Sequence, residues 1–242
     1  MSEEISAEIA VKCSGITKVF GSVVANDGID LEVKYGEILA LLGENGSGKT
    51  TLMNMLSGIY HPDKGNIYIA GKPEAINSPM DSIELGIGMI HQHFKLVEVF
   101  SAADNIVAGT KGKLKSKGAV RDEIKKISEQ LGLEVDPDKK VYNMSVSEKQ
   151  TVEILKVLYR GAKILILDEP TEGIQPSIIQ DIGAAIQKIN EWKGITVLLV
   201  EQYLDFVLEN TNKLYVMEKG EIVYANETKL ADKDEVQRLM TE

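Results

Sequence analysis

The chain has 242 residues, of which 43% are hydrophobic and 26% charged, enough to bury a full core as one large domain or as a core with a subdomain. Its formal net charge of −10 argues against a general nucleic-acid binder, which carries a basic surface. The single cysteine, Cys13, excludes an internal disulfide and a cysteine-built zinc site, and no apolar run approaches the ~20 residues that span a bilayer.

Met1-Ser2-Glu3-Glu4-Ile5 lacks the basic-then-apolar order of a signal peptide, so any membrane association is expected through a partner. Residues 10–35 read as two short strands joined by a turn near Gly21-Ser22. Ile38-Leu39-Ala40-Leu41-Leu42 is a continuous apolar run that suits a buried strand, and Thr51-Leu52-Met53-Asn54-Met55-Leu56 suits a helix ending near Gly58. Between them lies Gly43-Glu44-Asn45-Gly46-Ser47-Gly48-Lys49-Thr50, a G-x-x-x-x-G-K-T loop. The strand–loop–helix order separates a phosphate-binding loop from a chance match. Glycines let such a backbone curl until successive N–H groups face one anion, and the helix start adds its positive end. Lys49 is expected to reach the β- and γ-phosphates and the Thr50 hydroxyl to ligate Mg²⁺. Gly43, Asn45, Gly46, Ser47, Gly48 and Thr51 complete the expected nucleotide-binding set.

His61-Pro62-Asp63-Lys64-Gly65 is a turn cluster, and the alternating Asn66-Ile67-Tyr68-Ile69-Ala70 reads as an antiparallel strand before the turn at Gly71-Lys72. Gly86-Ile87-Gly88-Met89-Ile90 reads as the next core strand. From 93 to 150 the chain turns helix-rich and more charged. Val120, Ile124, Ile127 and Leu131 recur at helical spacing, with Gly132 placed to stop the helix. Ser147 is expected to cap a second helix running to about Arg160, with Val152, Ile154, Leu155 and Leu158 as its apolar positions and Gly161 ending it. Ile164-Leu165-Ile166-Leu167 and Ile195-Thr196-Val197-Leu198-Leu199-Val200 suit parallel strands covered on both faces, joined by a crossover helix near 177–192. Strand, turn and strand follow at 213–217, Lys219-Gly220 and 221–224.

The run ending in Asp168-Glu169 puts two carboxylates at the carboxyl end of a strand, where open parallel sheets bind ligands. Asp168 is expected to hold Mg²⁺, and Glu169 to orient and polarise the attacking water.

The spacing of Gly43–Thr50, Gln92, Ser145 and Asp168-Glu169-Pro170-Thr171 resembles the ATP-binding subunit of an ABC transporter, over about residues 11–223. The resemblance implies an α/β phosphate-loop NTPase fold: a RecA-like parallel-sheet core, an antiparallel β subdomain and an inserted helical subdomain. It implies one ABC ATPase domain over 1–242, with 11–92 and 151–242 forming the core and β subdomain and 93–150 the helical subdomain. Two subunits are implied to sandwich ATP and Mg²⁺, as a homodimer or as a heterodimer with another ABC ATPase subunit. Transmembrane permease subunits would hold them at the cytoplasmic face of the cell membrane. Carried over by position, Phe20 matches the aromatic that stacks on adenine. Gln92 matches the glutamine that contacts Mg²⁺ and the lytic water, and the 93–97 segment after it would line the groove for a coupling helix. His91 and His93 are read as groove residues rather than metal ligands. Ser145 matches the serine that touches the partner's γ-phosphate, and Gln202 stands where a switch histidine is usual. An importer ATPase is the expected function, ahead of a soluble ATP-dependent switch.

Three positions depart from the pattern. Met144-Ser145-Val146-Ser147-Glu148 replaces the usual Leu-Ser-Gly-Gly-Gln, so two glycines are lost and a carboxylate replaces an amide. Should Glu148 face a γ-phosphate, two charges about 4 Å apart cost roughly 4 kcal/mol at an effective dielectric near 20. On that basis the chain is expected to turn over ATP weakly alone and to work best opposite a better-equipped subunit. Gln202, and Gln175 in place of an aspartate, look like the urea and branched-chain amino-acid importer ATPases. Met89-Ile90-His91-Gln92-His93-Phe94 and Val152-Glu153-Ile154-Leu155-Lys156 resemble those of simple-sugar and nucleoside importers, which usually come as fused tandems, whereas one copy is present here.

Overall fold

The computed structural model describes residues 8–110 and 116–240; residues 1–5, read above for a targeting signal, lie outside that range. Strands β1 (Ile9–Phe20) and β2 (Val23–Lys34) meet at the Gly21-Ser22 turn. With β4 (Lys64–Ile69) and β5 (Lys72–Glu74) they form an antiparallel sheet in the order β2-β1-β4-β5. The first two strands are longer than their sequence suggests, at twelve residues each. Register shifts break their pairing between Cys13 and Ile16 and between Ile16 and Lys18. Gly15 and Gly28 lie in these irregular stretches with positive φ, so the ribbon bends without ending.

The second sheet holds β3 (Ile38–Leu42), β6 (Ile87–Ile90), β7 (Ile164–Asp168), β8 (Thr196–Glu201), β9 (Lys213–Glu218) and β10 (Glu221–Glu227). Its order is β10-β9-β3-β8-β7-β6, with every neighbour parallel except the edge strand β10. Pleating gives each strand two apolar faces. Leu39 and Leu41 join a core with the antiparallel sheet and with helix α1 (Lys49–Leu56). Ile38, Ala40 and Leu42 join a second core, closed by helices α6 (Pro176–Lys193), α7 (Leu204–Asn210) and α8 (Lys233–Leu239).

Helices α2 (Pro79–Glu84), α3 (Ala102–Val107), α4 (Lys117–Leu131) and α5 (Val146–Tyr159) complete the fold. A third core gathers Ala102, Ile106, Val120, Ile124, Val152 and Leu155. Helix α5 serves two masters: Val152 and Leu155 face this helical cluster, while Ile154, Val157 and Leu158 face the sheet. Gly132 ends α4 at φ 63, the left-handed cap that glycine adopts at little cost.

The cap of α5 is Ser145, not Ser147. The Ser145 hydroxyl accepts the Glu148 N–H, and the Glu148 carboxylate accepts the Ser145 N–H. This reciprocal capping box satisfies two of the four N–H groups a helix start leaves unpaired. Ser147 is displaced because it already lies within the first turn.

Candidate functional site

Three parallel strands deliver the site. Leu42 of β3 pairs with Glu201 of β8, and Asp168 of β7 pairs with Val200 of β8. The residues that follow these strand ends, Gly43, Glu169 and Gln202, therefore emerge side by side. Chain direction does this work, since parallel strands put all their carboxyl ends on one edge.

The first loop is curled tightly on itself. Gly43 and Gly48 have φ of 151 and 103. A Cβ at Gly43 would lie 2.2 Å from the Met217 carbonyl oxygen, and one at Gly48 would lie 2.2 Å from that of Ala25. Both glycines are thus set by backbone packing as well as by torsion. Gly46, with φ 87, faces open space, so the loop has one free side. The Lys49 ammonium lies inside the curl, donating to the Gly43 and Glu44 carbonyls at 2.7 and 2.8 Å. Its burial lowers its pKa, and the Glu169 carboxylate at 3.7 Å works against that shift.

The second and third loops close on the first. The Thr50 hydroxyl donates to Asp168 Oδ1 at 3.3 Å. Burial, then the neighbouring Glu169, raises the Asp168 carboxyl above its ordinary range; a nearby cation would reverse that balance. The Gln202 side-chain amide donates to Asn45 Oδ1 at 2.9 Å and to Glu169 Oε1 at 3.0 Å, so it ties the phosphate loop to the second acid. Glu169 sits at φ 50, a conformation that costs a non-glycine residue about 1–3 kcal/mol and clusters at functional sites.

The structure thus gathers Asn45, Lys49, Thr50, Asp168, Glu169 and Gln202. Gln92 joins the group through Glu172: its side-chain amide donates to the Glu172 carboxylate, which lies beside Glu169. Thr51 follows in the first turn of α1. Phe20 stands at the far end of the β1–β2 ribbon, 42% exposed, edge-on to Tyr60 with centroids 5.1 Å apart. Ser145 is in the helical region, capping α5. His91 is half-buried, and that burial lowers its pKa; it lines a cavity of about 240 Å³ with Ile83, Met89, Lys95, Glu153 and Arg160.

Two further residues belong to the site. Asn26 of β2, fully buried, donates to the Gly48 carbonyl at 3.2 Å and so fixes the back of the loop. The buried Glu201 carboxylate accepts backbone N–H groups from Thr171 and Gln202, each at 3.0 Å. Glu201 ends an apolar strand as Asp168 does, which is its only mark in the sequence. Asn26 precedes Asp27-Gly28 and looks like part of a turn.

The loop also fits a phosphate-bearing ligand. Among the described residues the buried Ser47 hydroxyl has no hydrogen-bond partner, and such a group is rarely left unpaired without a ligand or water. Together with the open side at Gly46 and the enclosed lysine, it suits an anion. The ABC transporter family pattern matches residues 26–172. The chain belongs to the ABC transporter family of ATP-binding domains. Two ABC relatives are the nucleoside import ATP-binding protein of Lactococcus lactis subsp. cremoris, 42% identical, and the guanosine import ATP-binding protein of Bacillus subtilis, 41% identical. Those matches cover 89% and 96% of this chain but 43% and 46% of the relatives, so the chain spans about half their length. An ATP-binding cassette of an ABC transporter in its ADP conformation superposes with a TM-score of 0.84. That match has 28% identity and covers 97% of this chain and 95% of the other.

Proposed function

We propose that this chain binds ATP with Mg²⁺ and hydrolyses it to drive a membrane importer, with nucleosides as the favoured solute class. The observation that carries the reading is the convergence of three strand ends, where Gln202 joins Asn45 of the phosphate loop to Glu169. The names of the relatives at 42% and 41% identity support the solute class.

In this reading the Gly43–Thr50 backbone and Lys49 hold the phosphates, Phe20 stacks on the base and Ser145 reaches nucleotide on a partner cassette. Glu169 takes the proton of the attacking water, and the Gln202 amide holds Glu169 Oε1 in place for it. Thr50 and Asp168, with Gln92 nearby, would hold Mg²⁺, which when bound would neutralise charge on the phosphate oxygens. Catalysis is then mostly positioning and charge stabilisation. The partners are a second ABC cassette and permease subunits at the cytoplasmic face of the membrane, docking beside residues 93–97. The 93–150 segment is the helical subdomain that carries Ser145.

The test is Glu169→Gln. ATP affinity should stay within about twofold while turnover falls at least about 100-fold, the scale of a lost general base. Unchanged turnover would place the base elsewhere.

A further inference from the structure

Glu201 is 2% exposed, on the last residue of β8, and touches two loops at once. Its Oε1 accepts the Thr171 N–H at 3.0 Å, and its Oε2 accepts the Gln202 and Tyr203 N–H groups at 3.0 and 3.4 Å. Thr171 lies two residues beyond Glu169, on the loop after β7. Gln202 and Tyr203 begin the loop after β8.

We infer that Glu201 is a positioning residue, whose buried carboxylate locks the Glu169 loop to the Gln202 loop so that the two act as one unit. Three features support this. A carboxylate is acceptor-only on both oxygens, so it can receive N–H donors from two sides, whereas an amide can serve one side only. The bridge runs parallel to a second link between the same loops, the Gln202 amide on Glu169 Oε1 at 3.0 Å. Glu169 also holds its φ of 50 beside this bridge, and such a conformation persists only where its surroundings fix it. A group that merely needed burial would not be a carboxylate, since an apolar side chain carries no desolvation cost there.

The inference rests on the assignment of Glu169 and Gln202 proposed above, and the experiment separates the two. Single-turnover ATP hydrolysis, fluorescent-nucleotide affinity and melting temperature are measured for wild type, Glu201→Gln, Gln202→Ala and the double variant, with Glu169→Gln as control. Glu201→Gln keeps the shape but turns one oxygen into a donor that faces N–H groups. The expected result is a fall in hydrolysis on the order of 10-fold, the scale typical of lost supporting contacts, with affinity within about twofold. Gln202→Ala should then cost far less in the Glu201→Gln background than in wild type, because residues of one unit are not additive. Hydrolysis within about twofold of wild type, loss of affinity in step with hydrolysis, or effects that multiply independently would each overturn the inference. If Glu201→Gln does not fold, Glu201→Asp, which keeps the charge but falls one methylene short, is held to the same outcomes. Full hydrolysis by Glu169→Gln would sink the underlying assignment instead, whatever Glu201 does.

Discussion

Replacing Glu148 by glutamine restores the uncharged side chain usual in the family's signature loop, and it separates two accounts of that position. In the structure the carboxylate accepts its own helix's Ser145 N–H at 2.8 Å and the Lys139 ammonium at 2.6 Å. Lys139 and the Ser145 N–H hold the Glu148 carboxyl below its ordinary range. The pair is about one-third exposed, so it is worth about 0.2–1 kcal/mol, and a negative charge at a helix start adds about 0.3–1 kcal/mol. Glutamine can still accept the Ser145 N–H, so the expected loss is roughly 0.5–2 kcal/mol. For a chain of this size that lowers the melting temperature by about 1–8 °C. The carboxyl's folded pKa is lowered, so its contribution is present above the ordinary value of 4.5 and lost as pH falls below it. The variant should therefore lose its deficit in acid. Turnover should change by less than about threefold, because the charge is already committed to Lys139 and to the helix. A charge facing a γ-phosphate would behave otherwise: relieving roughly 4 kcal/mol corresponds to about a 1000-fold gain in the closed state. Steady-state hydrolysis and a thermal melt decide the matter, and a rise in turnover above about 10-fold refutes the capping account.

Gly48→Ala places a Cβ 2.2 Å from the Ala25 carbonyl at φ 103. Fluorescent-nucleotide titration should show affinity falling on the order of 100-fold, about 2.7 kcal/mol. Gly161→Ala, at φ 84 with nothing within 4 Å, should cost only about 1 kcal/mol of stability and leave affinity intact; equal affinity loss in both would show that close packing is not the cause. Burial raises the Cys13 thiol from 9.0 to about 12, so above pH 9 the unfolded chain sheds a proton that the folded chain keeps. Stability should therefore fall as pH rises through that window. Urea unfolding at pH 8 and 10.5 should show wild type losing about 2 kcal/mol more than Cys13→Ala, and equal losses would contradict the burial argument.

The curled Gly43–Thr50 loop and its closeness to Asp168-Glu169 are legible because each segment is contiguous: a strand, a turn and the candidate residues lie within one short window. The α5 cap falls at Ser145 rather than at the expected Ser147 although Ser145-x-x-Glu148 is a capping-box pattern, because the resemblance assigns Ser145 to a nucleotide and so hides its part in opening the helix. Asn26 and Glu201 leave no such mark. Asn26 acts on Gly48 and Glu201 on Thr171, across separations of 22 and 30 residues, and nothing local in either segment names the partner. The short helices α2, α7 and α8 leave no sequence signal, since six or seven residues are too few for apolar periodicity to stand out.

One contact ties the far end of the fold to its beginning. The Gly220 N–H, in the β9–β10 turn, donates to the Ser47 carbonyl at 3.0 Å, and the Gly220 carbonyl accepts from Asp27 at 2.8 Å. The back of the Gly43–Thr50 curl is therefore braced by the last hairpin of the second sheet, so a change in the length of that turn reaches the loop through backbone hydrogen bonds rather than through any side chain.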